Sequence, residues 1–373
     1  MLQLKNLTRK FPFCRPFKYP LLLPISPRYI SSQKPPPRSP ISNQPIMSVS
    51  HNQSQTPQSQ ITPDPLEHAA GRSSQFEMQA SLIPDENKFE YQSAPELLRI
   101  IDNTVKSWSA EEYFLYFHGV THDNLSELDR EYFGSNLQCT VLFTTENSLQ
   151  ALICHILAGG KPRTLMLNLW TEIRCKIAEI PGHTHDSVDL FGAKRFFLGN
   201  LRSKEGFEAL VPKAQDASGV WPPVVIEFGS SKGLDFLHLD AEWWLINSTG
   251  GTRLVILIQL MTDPFAIRIE CWAMAPPPSP TGTRHPPIGV PTCVQLFNIN
   301  ANGVVTSTSP GLCIPYSSLF SEPNENAQDV VFTNDELSSF ALGMFDLMTR
   351  KVGNSCVLFS FWKRLSNHGI ACN

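Results

Sequence analysis

Two glutamates are the strongest candidates for chemistry in the sequence. Glu227 lies within the apolar run 224–228, whose β-branched residues favour a strand. Alternation along that strand turns Glu227 away from its apolar neighbours, and Glu208 has the same relation to the run 207–211. If the two strands are neighbours, both carboxylates lie on one face of a sheet. Because hard oxygen ligands suit Mg²⁺ or Mn²⁺, the pair predicts a metal site that activates water.

The carboxylate of Glu227 also has a structural interpretation. A buried carboxylate without a partner costs several kcal/mol of folding free energy, so it should have a cation, a metal ion, a hydrogen-bond donor or a raised pKa. In this interpretation the two acids are held by Lys204 or Arg202, which precede them in the chain. The residue pattern leaves both interpretations open.

The segment Gly229-Ser230-Ser231-Lys232-Gly233 matches GxSxG and lies between a predicted strand and a predicted helix, the context of a nucleophile elbow. Ser231 would then be the nucleophile of a serine hydrolase. The acid and histidine pairs that preserve the order Ser, acid, His are Asp263 with His285 and Asp346 with His368. The alternative is a Ser/Gly turn whose serines cap the helix.

Composition predicts a folded domain with flexible parts. The chain has 373 residues, of which 42% are hydrophobic, enough for one domain of about 200 to 280 residues. Its longest apolar run, 254–260, is interrupted by Gln259 and is shorter than the roughly 18 residues of a membrane span, so we expect no membrane partner. Nine cysteines without a CxxC pair predict reduced thiols.

The distribution of charge limits the choice of partners. Residues 1–60 contain eight of the 30 basic residues and none of the 34 acidic ones, so the remainder has 22 basic and 34 acidic residues, a net charge of −12. A body this acidic does not favour a broad nucleic-acid surface. Any contact with DNA or RNA would be local, and a protein partner is the other possibility.

Residues 1–90 are predicted to be a disordered basic leader. The acid-free segment 1–32, which ends in Arg28-Tyr29-Ile30-Ser31-Ser32, has the composition of a mitochondrial presequence. The alternative is a disordered tail, or upstream sequence before a true start at Met47, on a cytoplasmic or nuclear protein. The Pro, Ser and Gln content of 33–74 does not support a packed core.

The remaining pattern predicts one α/β domain over 93–355 with a mixed central sheet flanked by helices. The predicted helices are 93–108, a second from Ser109, 149–157, 164–180, 233–247 and 333–351. The predicted strands are 139–145, 195–199, 207–211, 224–228, 252–260, 266–274 and 292–299. The five strands from 195–199 to 266–274 are predicted to share one sheet. A proline-rich loop, 275–291, interrupts that sheet.

The run 196–260 carries a resemblance to a known family. Its segments Glu208-Ala209-Leu210-Val211-Pro212, Trp221-Pro222-Pro223-Val224-Val225-Ile226-Glu227-Phe228-Gly229 and Leu239-Asp240-Ala241-Glu242-Trp243-Trp244 resemble fungal proteins with a restriction-endonuclease-like core, part of the PD-(D/E)xK nuclease superfamily. The family's α-β-β-β-α-β order agrees with the predicted core, about 164–274. The resemblance covers a quarter to a third of the chain.

This resemblance implies a metal-dependent nuclease or a catalytically silent descendant. Glu208 and Glu227 take the places of the family's two acids, which bind Mg²⁺ or Mn²⁺, and Glu172 takes that of an acid on the first helix. The family's lysine falls at Gly229, so Lys232 or Lys204 would have to replace it. A non-catalytic interaction module on the same fold is the alternative function.

Overall fold

The computed structural model of the protein describes residues 73–107, 112–132, 139–145, 149–157, 160–192, 195–199, 201–213, 220–230, 233–276 and 289–349. The described fold begins at Ser73 rather than near residue 93, because 73–90 form a helix, a 3₁₀ turn and a short strand that the expected leader included. The predicted presequence at 1–32 lies outside the described residues, as do positions 277–288 of the proline-rich loop.

The elements are as follows. The helices are α1 (Ser73–Leu82), α2 (Ala94–Lys106), α3 (His122–Tyr132), α4 (Gly160–Ala178), α5 (Leu234–Asn247), α6 (Tyr316–Leu319) and α7 (Asn334–Thr349). The strands are β1 (Lys88–Glu90), β2 (Glu112–His118), β3 (Cys139–Thr144), β4 (Ala151–Leu157), β5 (Val188–Gly192), β6 (Arg195–Leu198), β7 (Arg202–Glu205), β8 (Glu208–Pro212), β9 (Val224–Ser230), β10 (Leu254–Thr262), β11 (Phe265–Ala275), β12 (Val290–Asn300), β13 (Val305–Ser307), β14 (Gly311–Ile314) and β15 (Val330–Thr333).

Two mixed sheets organise these elements. Sheet A has six strands in the order β1-β2-β4-β3-β7-β6, and sheet B has seven in the order β13-β12-β11-β10-β9-β8-β5. In sheet B, β5, β8 and β9 form an antiparallel meander, and β9 pairs with β10 in parallel through the crossover helix α5. Together with α4 before β5, this gives the order α-β-β-β-α-β within sheet B, with β6 and β7 inserted into sheet A.

Three apolar clusters separate the layers. The largest packs α4 and α7 against one face of sheet B. A second lies between the two sheets and contains α5, with Phe76 of α1 at its margin. The third packs α2 and α3 against the far face of sheet A. Sheet B is therefore covered on both faces.

Helix α5 lies in the middle of the molecule because its sequence is apolar on nearly every side. Leu237, Ala241 and Trp244 are buried on one side of the helix, and Trp243 is buried on another side. A helix that is apolar all round is one that a large core encloses. Two polar residues of α5 are buried with them, Asp240 and Asn247, and a buried polar group requires partners.

Three sequence predictions about elements are wrong. The segments 112–118 and 151–157 are strands of sheet A, not helices, and the two pair with each other in antiparallel register. Strand 195–198 also belongs to sheet A rather than to the sheet of Glu227. The first two segments are short and rich in apolar residues, and periodicity does not distinguish a buried strand from a buried helix over so few residues.

Two general features complete the fold. None of the described helices is long and apolar enough to cross a lipid bilayer. The described cysteines Cys139, Cys154, Cys271, Cys293 and Cys313 are free thiols.

Candidate functional site

The strand β9 carries Glu227 on the face that α5 covers. Val225 and Glu227 point toward α5, whereas Ile226 and Phe228 point toward α4, in the alternation that the sequence predicts. The residue is 1% exposed. A carboxylate at this depth requires compensation for its lost hydration, and the contacts of its two oxygens show where that compensation comes from.

Both oxygens of Glu227 accept hydrogen bonds from groups with fixed positions. The indole Nε1 of Trp244 donates to Oε1 at 2.6 Å, and the backbone N–H of Phe207 donates to Oε2 at 3.1 Å. Nζ of Lys204 lies 3.7 Å from Oε1, the distance of an ion pair rather than of a hydrogen bond. The carboxylate is thus enclosed by the protein's own donors.

Lys204 joins Glu227 to a second buried acid. Its Nζ donates to Oδ1 of Asp240 at 2.6 Å, and the same oxygen accepts a hydrogen bond from Nε2 of Gln79 at 2.7 Å. Lys204 comes from sheet A, Asp240 from α5 and Gln79 from α1. The cluster therefore adds polar contacts among both sheets and two helices to the apolar packing between them.

Burial and neighbouring charges shift the pKa values of Glu227 and Lys204. Burial raises the pKa of Glu227, and Lys204 only partly opposes that effect. Burial alone would lower the pKa of Lys204, but Asp240 and then Glu227 more than offset it and raise the pKa above its usual value. The raised pKa favours the cationic form of Lys204, and Asp240, at hydrogen-bond distance, is the first of the two acids that cause it.

Glu208 lies on the opposite face of sheet B. It is paired with Ile226 in the antiparallel register of β8 and β9, and residues directly opposite in such a ladder point to the same side. Glu208 consequently lies on the face that α4 covers, beside Gly192 of β5, where a Cβ would come within 3.0 Å of its Oε2. The predicted meeting of Glu208 and Glu227 on one face does not occur.

The position of the expected lysine is filled by other side chains. A Cβ added to Gly229 would lie 3.0 Å from Oε1 of Glu112 and 3.1 Å from Cδ1 of Leu237. Glu112 reaches this point from β2 of sheet A and is itself buried. A lysine at 229 would therefore meet a carboxylate and an apolar side chain within its first bond.

These positions do not fit a two-carboxylate site for Mg²⁺ or Mn²⁺. Such a site requires acids that converge on one point and keep oxygen lone pairs for the metal and its waters. Glu208 and Glu227 are separated by the sheet, and donors already occupy both oxygens of Glu227. Among the described residues, no group of three or more His, Cys, Asp or Glu side chains is arranged to hold a metal ion.

Of the remaining predicted residues, Glu172 is not brought to Glu227. Glu172 lies on α4, across sheet B, where burial raises its pKa; Lys176 opposes the shift and Glu336 adds to it. Lys232 and Ser231 lie outside the described residues, as do His285 and His368 of the two hydrolase triads.

Space beside the cluster is small. A cavity of about 10 Å³ lies between α5 and sheet A, and its walls include Gln79, Thr140, His155, Lys204 and Asp240. That volume is close to the minimum for one water molecule. It does not admit a phosphodiester.

Sequence reasoning missed the residues that complete the cluster. Asp240 and Trp244 lie in a segment that resembles the nuclease family, but the sequence predicts no role for either, and Gln79 lies within the predicted leader. One signal was present in the sequence, since Asp240 follows Leu237 and precedes Ala241 and Trp244 on a helix predicted to face a core. A polar residue inside such a stripe indicates a buried partner.

Two further buried carboxylates lie near by. Glu270 of β11 accepts hydrogen bonds from Arg268, Trp272 and His238, which together overcome the effect of burial and lower its pKa to about 2. Glu205 of β7 is different, because burial raises its pKa to about 7 although Arg195 donates to its Oε1.

Comparison of the sequence with protein-family models and with curated proteins gives no match.

Proposed function

We propose that this chain is a non-catalytic interaction module built on the α-β-β-β-α-β order of restriction-endonuclease-like nucleases. The observation that supports the proposal is the enclosure of Glu227. Its two oxygens accept hydrogen bonds from Trp244 and Phe207, and Lys204 lies beside it. A carboxylate that serves a metal must exchange ligands with water and substrate, whereas this one is part of the core.

The chain order supports a nuclease-like core without supporting nuclease activity. Glu208 and Glu227 occupy the strands that the resemblance assigns to the two acids, and β9 continues through α5 into the parallel strand β10. The acids point to opposite faces, however, and Glu112 occupies the space beyond Gly229. We therefore favour the silent module over the metal-dependent nuclease and over the serine hydrolase.

The charge of the body favours a protein over a nucleic acid as the partner. Beyond residue 60 the chain carries a net charge of −12, which repels a phosphate backbone over much of its surface. The partner is then a protein whose contact surface is neutral or basic.

A cleavage assay tests this proposal. The full chain is incubated with single- and double-stranded DNA and RNA in Mg²⁺ or Mn²⁺, beside the Glu227→Gln variant prepared in the same way. We expect the two proteins to give the same background, and we expect no binding of the same substrates at physiological salt in an anisotropy titration. Metal-dependent cleavage by the parent that Glu227→Gln abolishes would overturn the proposal.

A further inference from the structure

Glu112 spans the gap between the two sheets. It is the first residue of β2 in sheet A, and its side chain ends against β9 of sheet B and the start of helix α5. Its side chain is 2% exposed. Oε1 lies 2.6 Å from Nε2 of His155, and Oε2 accepts hydrogen bonds from the backbone N–H of Ser230 at 3.1 Å and from its hydroxyl at 2.8 Å.

The backbone around this carboxylate is shaped to its size. A Cβ added to Gly233 would lie 2.5 Å from Oε2 and 2.7 Å from Oε1 of Glu112, and all three of its nearest atoms would belong to that carboxylate. Gly233 has φ −94° and ψ 4°, a conformation open to alanine, so its backbone does not require glycine. At Gly229 the added Cβ would lie 3.0 Å from Oε1. The two glycines provide the space that the carboxylate fills.

The electrostatic environment favours a negative charge at this point. Gly233 is the N-cap of α5, where the helix dipole is positive. Burial alone would raise the pKa of Glu112, but the contacts with His155 and Ser230 overcome it and hold the pKa below its usual value. Glu112 is therefore an anion within the core, held by three donors.

From this geometry we infer that Gly229, Ser230 and Gly233, with His155 opposite, form a carboxylate-binding cradle whose ligand is the chain's own Glu112. The cradle lies at the carboxyl end of a parallel strand and the start of its crossover helix, the place where open α/β sheets bind external anions. Here the ligand comes from sheet A, so binding joins the two sheets. A free carboxylate enters only when the side chain of Glu112 is removed. This inference concerns a site separate from Glu227 and does not depend on the proposed function.

A double-mutant cycle in the full chain tests the fit between the cradle and its ligand. Gly233→Ala should lower the Tm of the parent by about 5 °C, because the added methyl group displaces the carboxylate. The same substitution in a Glu112→Ala background should change the Tm by less than about 1 °C. Glu112→Asp, whose side chain is one methylene shorter, is the second background. In it, Gly233→Ala should lower the Tm by an amount between those in the parent and in Glu112→Ala. Equal losses in all three backgrounds would contradict the inference.

Formate tests the class of ligand. It is the smallest carboxylate, and it should raise the Tm of Glu112→Ala in a saturable manner relative to sodium chloride of equal ionic strength. The parent should show no such rise, because its cradle is occupied. Adding Ser230→Ala to Glu112→Ala should weaken the response, since that change removes one of the donors.

The response to formate decides whether the cradle binds a carboxylate. If Glu112→Ala is unfolded in chloride, recovery of a cooperative melting transition in formate supports the cradle, and failure to recover it contradicts the cradle. An equal response of the parent and Glu112→Ala to formate would also contradict it, because the effect would then be a general one of the salt.

Discussion

At the scale of single residues, the described part of the chain contains four buried glutamates whose environments differ. Glu227 is paired with a lysine, Glu112 is held by a serine and a histidine, and Glu270 has three donors. Glu205 accepts hydrogen bonds from Arg195 at its Oε1, and burial nevertheless raises its pKa to about 7. These differences predict different dependences of stability on pH.

Glu205 should make the protein less stable as the pH rises from about 4.5 to about 7. Its folded pKa lies above its ordinary value of 4.5, so its full contribution is present below that value and is lost as the pH passes through the folded pKa. Glu205→Gln should remove this loss. Because one pKa unit corresponds to roughly 1.4 kcal/mol, the loss is about 3 kcal/mol of unfolding free energy. Urea titrations of parent and variant at pH 5, 6, 7 and 8 measure the difference.

Glu270→Gln is the control for that experiment. The pKa of Glu270 is lowered to about 2, so its contribution is present above the ordinary value and is lost only as the pH falls toward 2. Between pH 5 and 8 the titration of the Glu270 carboxylate itself should therefore add no pH dependence to the difference in stability between the parent and Glu270→Gln. A constant difference for Glu205→Gln as well would show that Glu205 is ionised normally.

At the scale of elements, helix α5 determines how the core is arranged. It follows β9, supplies Trp244 to Glu227 and Asp240 to Lys204, and packs against both sheets. Because residues on several sides of α5 are buried, a substitution on one side tests the contacts of that side. The two adjacent tryptophans allow a matched comparison.

Trp244→Phe should destabilise the protein by about 1 to 3 kcal/mol, because it removes the N–H donor to a buried carboxylate and keeps most of the ring. Trp244→Ala should cost about 3 to 5 kcal/mol, since it also leaves a cavity. Trp243→Phe is the control: Trp243 is buried to a similar degree, and within the described part of the chain its indole is not bonded to a carboxylate. Denaturant titrations that give equal losses for the two Trp→Phe variants would contradict the role given to the Trp244 N–H.

Much of the element order was predictable because the signals are local. The strand 224–230, the helix 234–247 and the strand 254–262 follow from β-branched runs on either side of an apolar helical stretch. Ser93, the first residue of the predicted helix 93–108, caps α2, and its side chain accepts a hydrogen bond from the backbone N–H of Glu96. The run 151–157 was not predictable as a strand, because all of its residues are buried and no alternation is visible.

The arrangement of the candidate site was not predictable, for two physical reasons. Strand alternation predicts that both glutamates share one face only if that face is polar and the other is buried. Sheet B is covered by apolar clusters on both faces, so the argument does not apply. The register of β8 against β9 then decides the face of Glu208, and a sequence does not show register. The inference that a buried Glu227 needs a cation, a metal ion, a donor or a raised pKa rests on burial alone, and Glu227 has a nearby cation in Lys204, two donors and a raised pKa.

At the scale of the whole molecule, two sheets share one core through buried polar contacts. Lys204 and Glu112 both come from sheet A and both contact groups of sheet B or α5. Polar contacts of this kind contribute less net stability than apolar packing of the same volume, but they fix one relative position of the parts they join. A rigid junction suits a module that presents a fixed surface to a partner, as we propose.

The central claim, that Glu227 is a structural carboxylate, is tested most directly by the stability of Glu227→Gln with and without Mn²⁺. A glutamine can accept from only one of the two donors, Trp244 or Phe207, and directs its own N–H₂ toward the other. We predict a loss of about 1 to 3 kcal/mol in both conditions, with no effect of Mn²⁺ on the melting temperature of the parent or of the control Glu208→Gln. Stabilisation of the parent by Mn²⁺ that Glu227→Gln abolishes, together with a variant more stable than the parent in metal-free buffer, would contradict the claim and identify Glu227 as a metal ligand.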